Sequence, residues 1–245
     1  WVLRCDRGVW RLWRSSIRSE RQLPYEYPGT SRLISDGRDG VWVHCKGEDG
    51  TWKLWHADLQ REREKYEFPE ESKIAGDGKG GVWVLCKSDD GRWRLWHASA
   101  WSEREKYEFP EQSQLVGDGN GGVWVLCETE SNRRTWSLWH VTDRREVEKY
   151  DFPRNSKLIG DGSGGVWVHC DTEGEAWKLW HVDLERETCR YSFPRDSKIV
   201  GDGRGGVWVL CRNDAGGLWR LWHASEGSAR PKYEYPGASQ LAGDG

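Results

Sequence analysis

The chain repeats itself. The phrase G-D-G-x-G-G-V-W-V-[LH]-C returns along its length, followed by W-x-L-W-H, then K-Y-E-F-P and S-[KQ]-[IL]. Its tryptophan stands at Trp1, Trp42, Trp83, Trp124, Trp167 and Trp208, in steps of 41, 41, 41, 43 and 41 residues. A unit of this size with several short apolar runs cannot bury its own faces, so it must stack against copies of itself.

One unit shows how. Residues 72–76 read as a short inner strand A, and Asp77-Gly78-Lys79-Gly80-Gly81 as a turn in which glycines supply positive φ and the carboxylate caps backbone N–H groups. Val82 to Cys86 is a strand B apolar at every position, as expected where both faces are buried. Strand C, Trp93 to His97, separates its faces, with Trp93, Leu95 and His97 on one side and Arg94 and Trp96 on the other. Strand D, Lys106 to Phe109, alternates and ends at Pro110, as an edge strand should. Polarity rises from A to D, the gradient of a blade radiating from an axis.

The expected fold is an all-β, six-bladed β-propeller with four antiparallel strands per blade. It reads as a single domain, 1–245, with blades at 1–27 plus 239–245, 31–68, 72–109, 113–152, 156–193 and 197–235. The chain starts inside a strand B and finishes on a strand A, so residues 239–245 are expected to complete the first blade and hide its edge.

Composition excludes some functions. The formal net charge is −3, which points away from nucleic acid. No apolar run approaches the roughly 20 residues that span a bilayer, and no signal peptide is visible. With no Met and Trp1 at the start, the sequence reads as a processed chain or an excised fragment. Six of the seven cysteines (Cys5, Cys45, Cys86, Cys127, Cys170 and Cys211) hold one repeat slot. Facing sheets lie about 10 Å apart, too far for a disulfide or a shared metal. They read as unpaired, buried, apolar residues, which favours a reducing, cytoplasmic location.

The spacing Asp77…Gly80…Trp83-Val84 resembles the D-x-x-G-x-x-W-V repeat of two-component-regulator and NHL-type propellers, and it covers the whole chain. Blade 2 departs from it, with Ser35 and Asp39 where the other turns have glycine. The likeness implies a propeller and little about activity.

The repeated polar residues read mainly as scaffold. Each turn offers one carboxylate among glycines, too few oxygens for calcium, and the G-x-G-G string precedes a strand, not the helix N-terminus of a phosphate loop. His56, His97, His140, His181 and His223 close strand C, one per blade, each expected to hydrogen-bond a neighbour. The stretches Arg61 to Lys65 and Glu103 to Lys106 read as a solvated outer edge preceding strand D, and Glu128 to Thr135 as the longest loop. No nucleophile–base pair, metal set or cofactor motif emerges, so no enzyme is expected.

One slot remains as a candidate site. The second tryptophan of strand C shares its face with a cation in most blades: Trp13 with Arg11, Trp55 with Lys53, Trp96 with Arg94, Trp180 with Lys178 and Trp222 with Arg220, while Trp139 has Ser137. An aromatic ring beside charged hydrogen-bonding groups suits a sugar. The expected function is a non-enzymatic multivalent module with lectin-like glycan recognition in clefts between blades, similar at fold level to six-bladed fucose-binding lectins. The alternative is a protein-interaction or sensor domain of a larger signalling protein. The expected partner is thus a glycan or a protein, with no nucleic acid and no membrane insertion, the chain being a monomer or part of a longer one. Trp rings buried in all six blades would favour the protein partner, and open rings the glycan.

Overall fold

A computed structural model describes residues 1–15, 19–99, 101–129, 132–171, 177–183, 185–212, 218–235, 239 and 241, with backbone alone at 129, 132–134 and 189. The chain divides into two compact units, Trp1–Glu111 and Gln112–Gly245. In the first, β1 (Val2–Asp6), β2 (Val9–Ser15) and β3 (Glu20–Glu26) form one sheet. A second holds β4 (Arg32–Ser35), β5 (Val41–Lys46), β6 (Trp52–Ala57) and β7 (Glu62–Glu67), and a third β8 (Lys73–Gly76), β9 (Val82–Lys87), β10 (Trp93–Ala98) and β11 (Glu103–Glu108). The second unit has β12 (Gln114–Gly117) to β15 (Glu146–Pro153) by way of β13 (Val123–Thr129) and β14 (Asn132–Val141). It continues with β16 (Lys157–Gly160), β17 (Val166–Cys170), β18 (Trp177–Val182) and β19 (Glu187–Phe193), then β20 (Lys198–Gly201), β21 (Val207–Arg212), β22 (Trp219–Ala224) and β23 (Ala229–Tyr235).

Every sheet is an antiparallel meander, five with four strands and the first with three. The expected fourth strand of the first sheet falls on residues 239–245, of which only 239 and 241 lie within the described residues. Among the described residues, no helix is long and apolar enough to cross a membrane.

The core lies between neighbouring sheets of each unit, as the apolar B strands require. Val41, Val43 and Cys45 of β5 pack on Leu12, Leu23 and Tyr27 of the first sheet. Val82, Val84 and Cys86 of β9 pack on Trp42, Leu54 and Phe68 of the second. The same slots meet in the second unit, where Val207, Val209 and Cys211 pack on Trp167, Leu179 and Phe193. Within each unit, neighbouring sheets thus meet with the valines of the later sheet against the tryptophan side of the earlier one, the period-2 alternation of a strand buried on both faces.

Three expectations need correction. The charged stretches do not precede strand D; Glu62–Glu67 and Glu103–Glu108 are that strand, exposed along the sheet edge where charge is tolerated. Glu128 to Thr135 is mostly a lengthened hairpin, since β13 runs to Thr129 and β14 starts at Asn132, so the longer repeat extends pairing. Cys5 is exposed, unlike Cys45, Cys86, Cys127, Cys170 and Cys211, because β1 is an edge strand among the described residues.

Candidate functional site

The repeated Asp and His belong to one network. In each of five turns the Asp Oδ1 accepts from the amides two and four residues on, as Asp77 does from Lys79 (2.6 Å) and Gly81 (2.8 Å). Its Oδ2 accepts from the His that closes strand C of the same sheet. The pairs Asp36–His56, Asp77–His97, Asp118–His140, Asp161–His181 and Asp202–His223 lie at 2.7–3.0 Å. Each imidazole lies against the B-strand tryptophan, with centroids 4.5–4.7 Å apart. That indole N–H reaches the next sheet: Trp42 donates to the Gly80 carbonyl at 3.2 Å, and Trp167 to Gly205 at 3.1 Å. The second glycine of the pair is required by crowding, since a Cβ on Gly81 would sit 2.5 Å from Asp77 Oδ2 and 2.9 Å from His97 Nε2.

Burial would raise the Asp77 carboxyl, but hydrogen bonds from His97 and two amides outweigh it and hold its pKa below the ordinary value. Asp36 and Asp202 behave alike. A depressed carboxyl stabilises the fold above its unfolded pKa, and that contribution is lost as pH falls through the lower folded value. Asp77→Ala orphans three donors and is expected to lower stability by about 2–3 kcal/mol. A urea midpoint at neutral pH unchanged from the parent protein would refute this role.

The second strand-C tryptophan sits at a recurring irregularity. Strand D carries one extra residue opposite it: Leu54 pairs with Tyr66 and Trp55 with Glu64, so Lys65 is the additional residue of a bulge. The same bulge recurs beside Trp96, Trp139, Trp180 and Trp222, and the register of the first sheet shifts between Arg11 and Trp13. The lysine of K-Y-E-F-P is thus the bulged residue in blades 2, 3, 4 and 6 (Arg190 in blade 5), a device that re-aims neighbouring side chains.

All six of these tryptophans, Trp13, Trp55, Trp96, Trp139, Trp180 and Trp222, are half-buried, neither closed off nor open. Several meet the preceding sheet edge-on, with Phe68–Trp96 at 6.3 Å, Phe152–Trp180 at 6.4 Å and Phe193–Trp222 at 6.0 Å. Their cations turn to carboxylates. Arg11 bonds Glu26 at 3.0 Å, Lys53 bridges Asp49 (2.8 Å) and Glu64 (3.2 Å), Arg94 bridges Asp90 (2.5 Å) and Glu105 (3.0 Å), and Arg220 bonds Glu234 at 2.6 Å. Lys178 donates to Ser192 Oγ at 3.1 Å. The cation over Trp13 is Arg4, at 5.4 Å, in place of Arg11.

Two of the sequence-derived pairs line hollows. Lys53 and Trp55 border one of about 760 Å³ between the first and second sheets. Arg220 and Trp222 border one of about 430 Å³ between the fifth and sixth. The slots correspond: Tyr27 and Phe193, Cys45 and Cys211, Lys53 and Arg220, Trp55 and Trp222, Glu62 and Ala229. Charged side chains, most of them acidic, line more of the first hollow. Burial raises the Glu62 carboxyl, and burial together with the Glu62 charge raises the Tyr27 phenol. It also holds Trp10, 37% exposed, the first tryptophan of its strand C and outside the candidate pairs read from the sequence. The signal was Gly29: any Cβ there would collide with the Trp10 indole, and four other blades place Glu or Arg in that slot, with Gly237 in blade 6.

Other chemistry is weaker. His181, Asp183 and Glu226 bring three potential ligand atoms within 4.8 Å of one another, which one-His-per-blade reasoning did not foresee. Both carboxylates are already engaged, Asp183 by Arg186 at 3.5 Å and Glu226 by Arg186 and by Arg190 at 3.1 Å. Burial pushes the Cys45 and Cys86 thiols up to about 11 and Cys127 to about 12, so they stay protonated at neutral pH.

No protein-family model and no curated protein sequence matches the chain. Solved structures do. The β-propeller domain of the trilobed protease from Pyrococcus furiosus superposes with a TM-score of 0.63 at 15% identity, over 94% of this chain and 79% of that one. The chain is a six-bladed β-propeller. This propeller is also similar to a prolyl endopeptidase (TM-score 0.63, 9% identity), covering 92% of this chain and 38% of the endopeptidase's length. The SapL1 lectin in complex with alpha methyl fucoside aligns over 95% of the propeller and 94% of its own chain, at a TM-score of 0.52 and 12% identity. Identities this low speak to fold alone.

Proposed function

We propose that this propeller binds neutral glycans in the grooves between adjacent blades. The observation that carries the reading is the recurrence of one hollow, built from the same repeat slots, between blades 1 and 2 and between blades 5 and 6. In the first groove the rings of Trp10, Trp55 and Tyr27 give a sugar an apolar face, while Lys53 and the Glu62 and Glu64 carboxylates supply directional hydrogen bonds. Lys53 is held by two carboxylates and so loses little freedom on binding. SapL1, a propeller of similar span that holds a methyl fucoside, is a fold-level precedent. Several weak grooves on one molecule would add through avidity on a repetitive glycan surface.

A glycan array followed by calorimetry with its strongest neutral oligosaccharide tests this. More than one site per chain is expected, and Trp10→Ala, at an exposed ring, is expected to weaken the first groove about tenfold without unfolding the protein. A blank array, or a single site indifferent to Trp10→Ala, would end the glycan reading.

The second reading, a protein-interaction or sensor module of a larger signalling protein, is favoured by the half-burial of all six strand-C tryptophans, which limits the ring face offered to a sugar.

A further inference from the structure

The repeat makes its own exceptions visible, and two of them fall on neighbouring blades of the second unit. After the proline that ends strand D, the next residue is Gly29, Glu70, Glu111 and Gly237 in four blades, but Arg154 and Arg195 in blades 4 and 5. A third exception lies beside them. The residue opening strand A normally donates to a backbone carbonyl further along: Arg32 to Ser72 at 3.0 Å, Lys73 to Glu111, Gln114 to Ser156 at 2.8 Å, and Lys198 to Ser239 at 2.7 Å. Lys157 makes no such bond among the described residues. Its ammonium lies 5.7 Å from the Trp177 ring centroid, and the Arg195 guanidinium lies 5.5 Å from the same ring.

These groups surround a hollow of about 590 Å³, with Arg154 and the Asn155 amide on its border and Asp196 as its only carboxylate among the described residues. No ion pair engages Arg154, Lys157 or Arg195 among the described residues, whereas Lys53 and Arg220 in the inter-blade grooves are tied to acids. Trp177 itself is 4% exposed and makes a tilted contact with His169, at 4.9 Å between centroids. Two cations within about 6 Å of one ring centroid, with Arg154 lining the same hollow, gather guanidinium and ammonium donors there.

We infer that this hollow is an oxyanion subsite, formed by Arg154, Lys157 and Arg195 over Trp177, that takes the sulfate ester or uronate carboxylate of an acidic glycan. Guanidinium groups match either oxyanion with paired N–H donors, and Asn155 can donate to an adjoining hydroxyl. The oxyanion chemistry stands on this geometry, while the sugar that carries it rests on the glycan reading above. The site is separate from the inter-blade grooves and, unlike the first of them, is lined by more cations than carboxylates.

The test is titration calorimetry with a heparin tetrasaccharide, a galacturonate tetramer, a desulfated neutral tetrasaccharide and inorganic sulfate. The double variant R154E/R195E is suited to it, because Glu already occupies this slot at Glu70 and Glu111. At least one acidic tetrasaccharide is expected to bind, more weakly as salt rises. The double variant is expected to lose at least about tenfold in affinity for it while keeping its melting temperature and any neutral-glycan binding. Which acidic ligand binds decides between sulfate and carboxylate. No acidic ligand binding at millimolar concentration, affinity unchanged in the double variant, or inorganic sulfate binding as tightly as the sugars would each overturn the inference. A blank neutral array with acidic binding retained would remove the groove reading and leave this one standing.

Discussion

Trp167→Ala is expected to destabilise the protein by about 3–5 kcal/mol, the range for removing a fully buried tryptophan. The ring is completely enclosed and belongs to the cluster joining the fifth and sixth sheets. It meets His181 in a tilted contact at 4.7 Å and stacks on Tyr191 at 6.4 Å, and its N–H bonds the Gly205 carbonyl at 3.1 Å. Truncation therefore opens a cavity, orphans a carbonyl and frees the imidazole that Asp161 holds. Trp167→Phe should recover part of the loss through retained ring area. Trp101, 80% exposed and outside the repeat, is the control, and Trp101→Ala is expected to change stability by no more than about 0.5 kcal/mol. Denaturant titrations of the three variants give the comparison. Equal effects at Trp167 and Trp101 would mean that the repeat tryptophan is not the inter-sheet anchor.

His169→Leu is expected to reduce, by the His169 share, the stability loss expected of the parent protein between about pH 6.5 and 4. His169 is fully buried, and burial depresses its pKa to about 4, offset only in part by the nearby Phe193 carbonyl. Below about pH 6.5 the unfolded chain takes up a proton that the native imidazole refuses, so stability declines as pH falls and levels off beneath the folded pKa. A difference of about 2.5 units corresponds to about 3 kcal/mol over that window. Leu85, Leu126 and Leu210 fill the same slot in other blades, so the substitution restores a residue this fold already accepts. His44, also buried and lowered by burial, adds a second loss in the same direction. The turn carboxylates act below both, near and under the ordinary Asp value, so the two effects separate in pH. Urea midpoints at pH 7.5, 6, 5 and 4.5 decide it, and parallel slopes for parent and variant would refute the role assigned to His169.

Much of the blade was legible in the linear pattern. A strand apolar at every position, Val82 to Cys86, is buried throughout, because only a strand covered on both faces has that composition. The Asp of the turn caps backbone amides two and four residues ahead, a local bond that spacing alone determines. The alternation of strand C put Trp96 and Arg94 on one face, and both lie on the side turned to the preceding sheet.

What escaped the sequence depends on pairing between distant segments. Asp77 and His97 are 20 residues apart, and their bond exists because β8, β9 and β10 fold into one meander. The bulge beside each candidate tryptophan is a property of register, which composition does not encode. Arg61 to Lys65 read as a solvated outer edge ahead of strand D because its charges alternate, yet Glu62 to Lys65 belong to that strand, since an edge strand exposes enough surface to keep such charges in water.

By itself, then, the sequence determined the repeat, its strand order and the residue types offered at each slot, since these follow from periodicity and burial preference. Tertiary structure decided which equal slots became unequal. Lys53 is tied to acids beside a hollow, whereas Lys157 is left over a tryptophan near Arg195. Charge and cavity at a groove depend on what the neighbouring sheet presents across it, and that neighbour is set by packing in three dimensions.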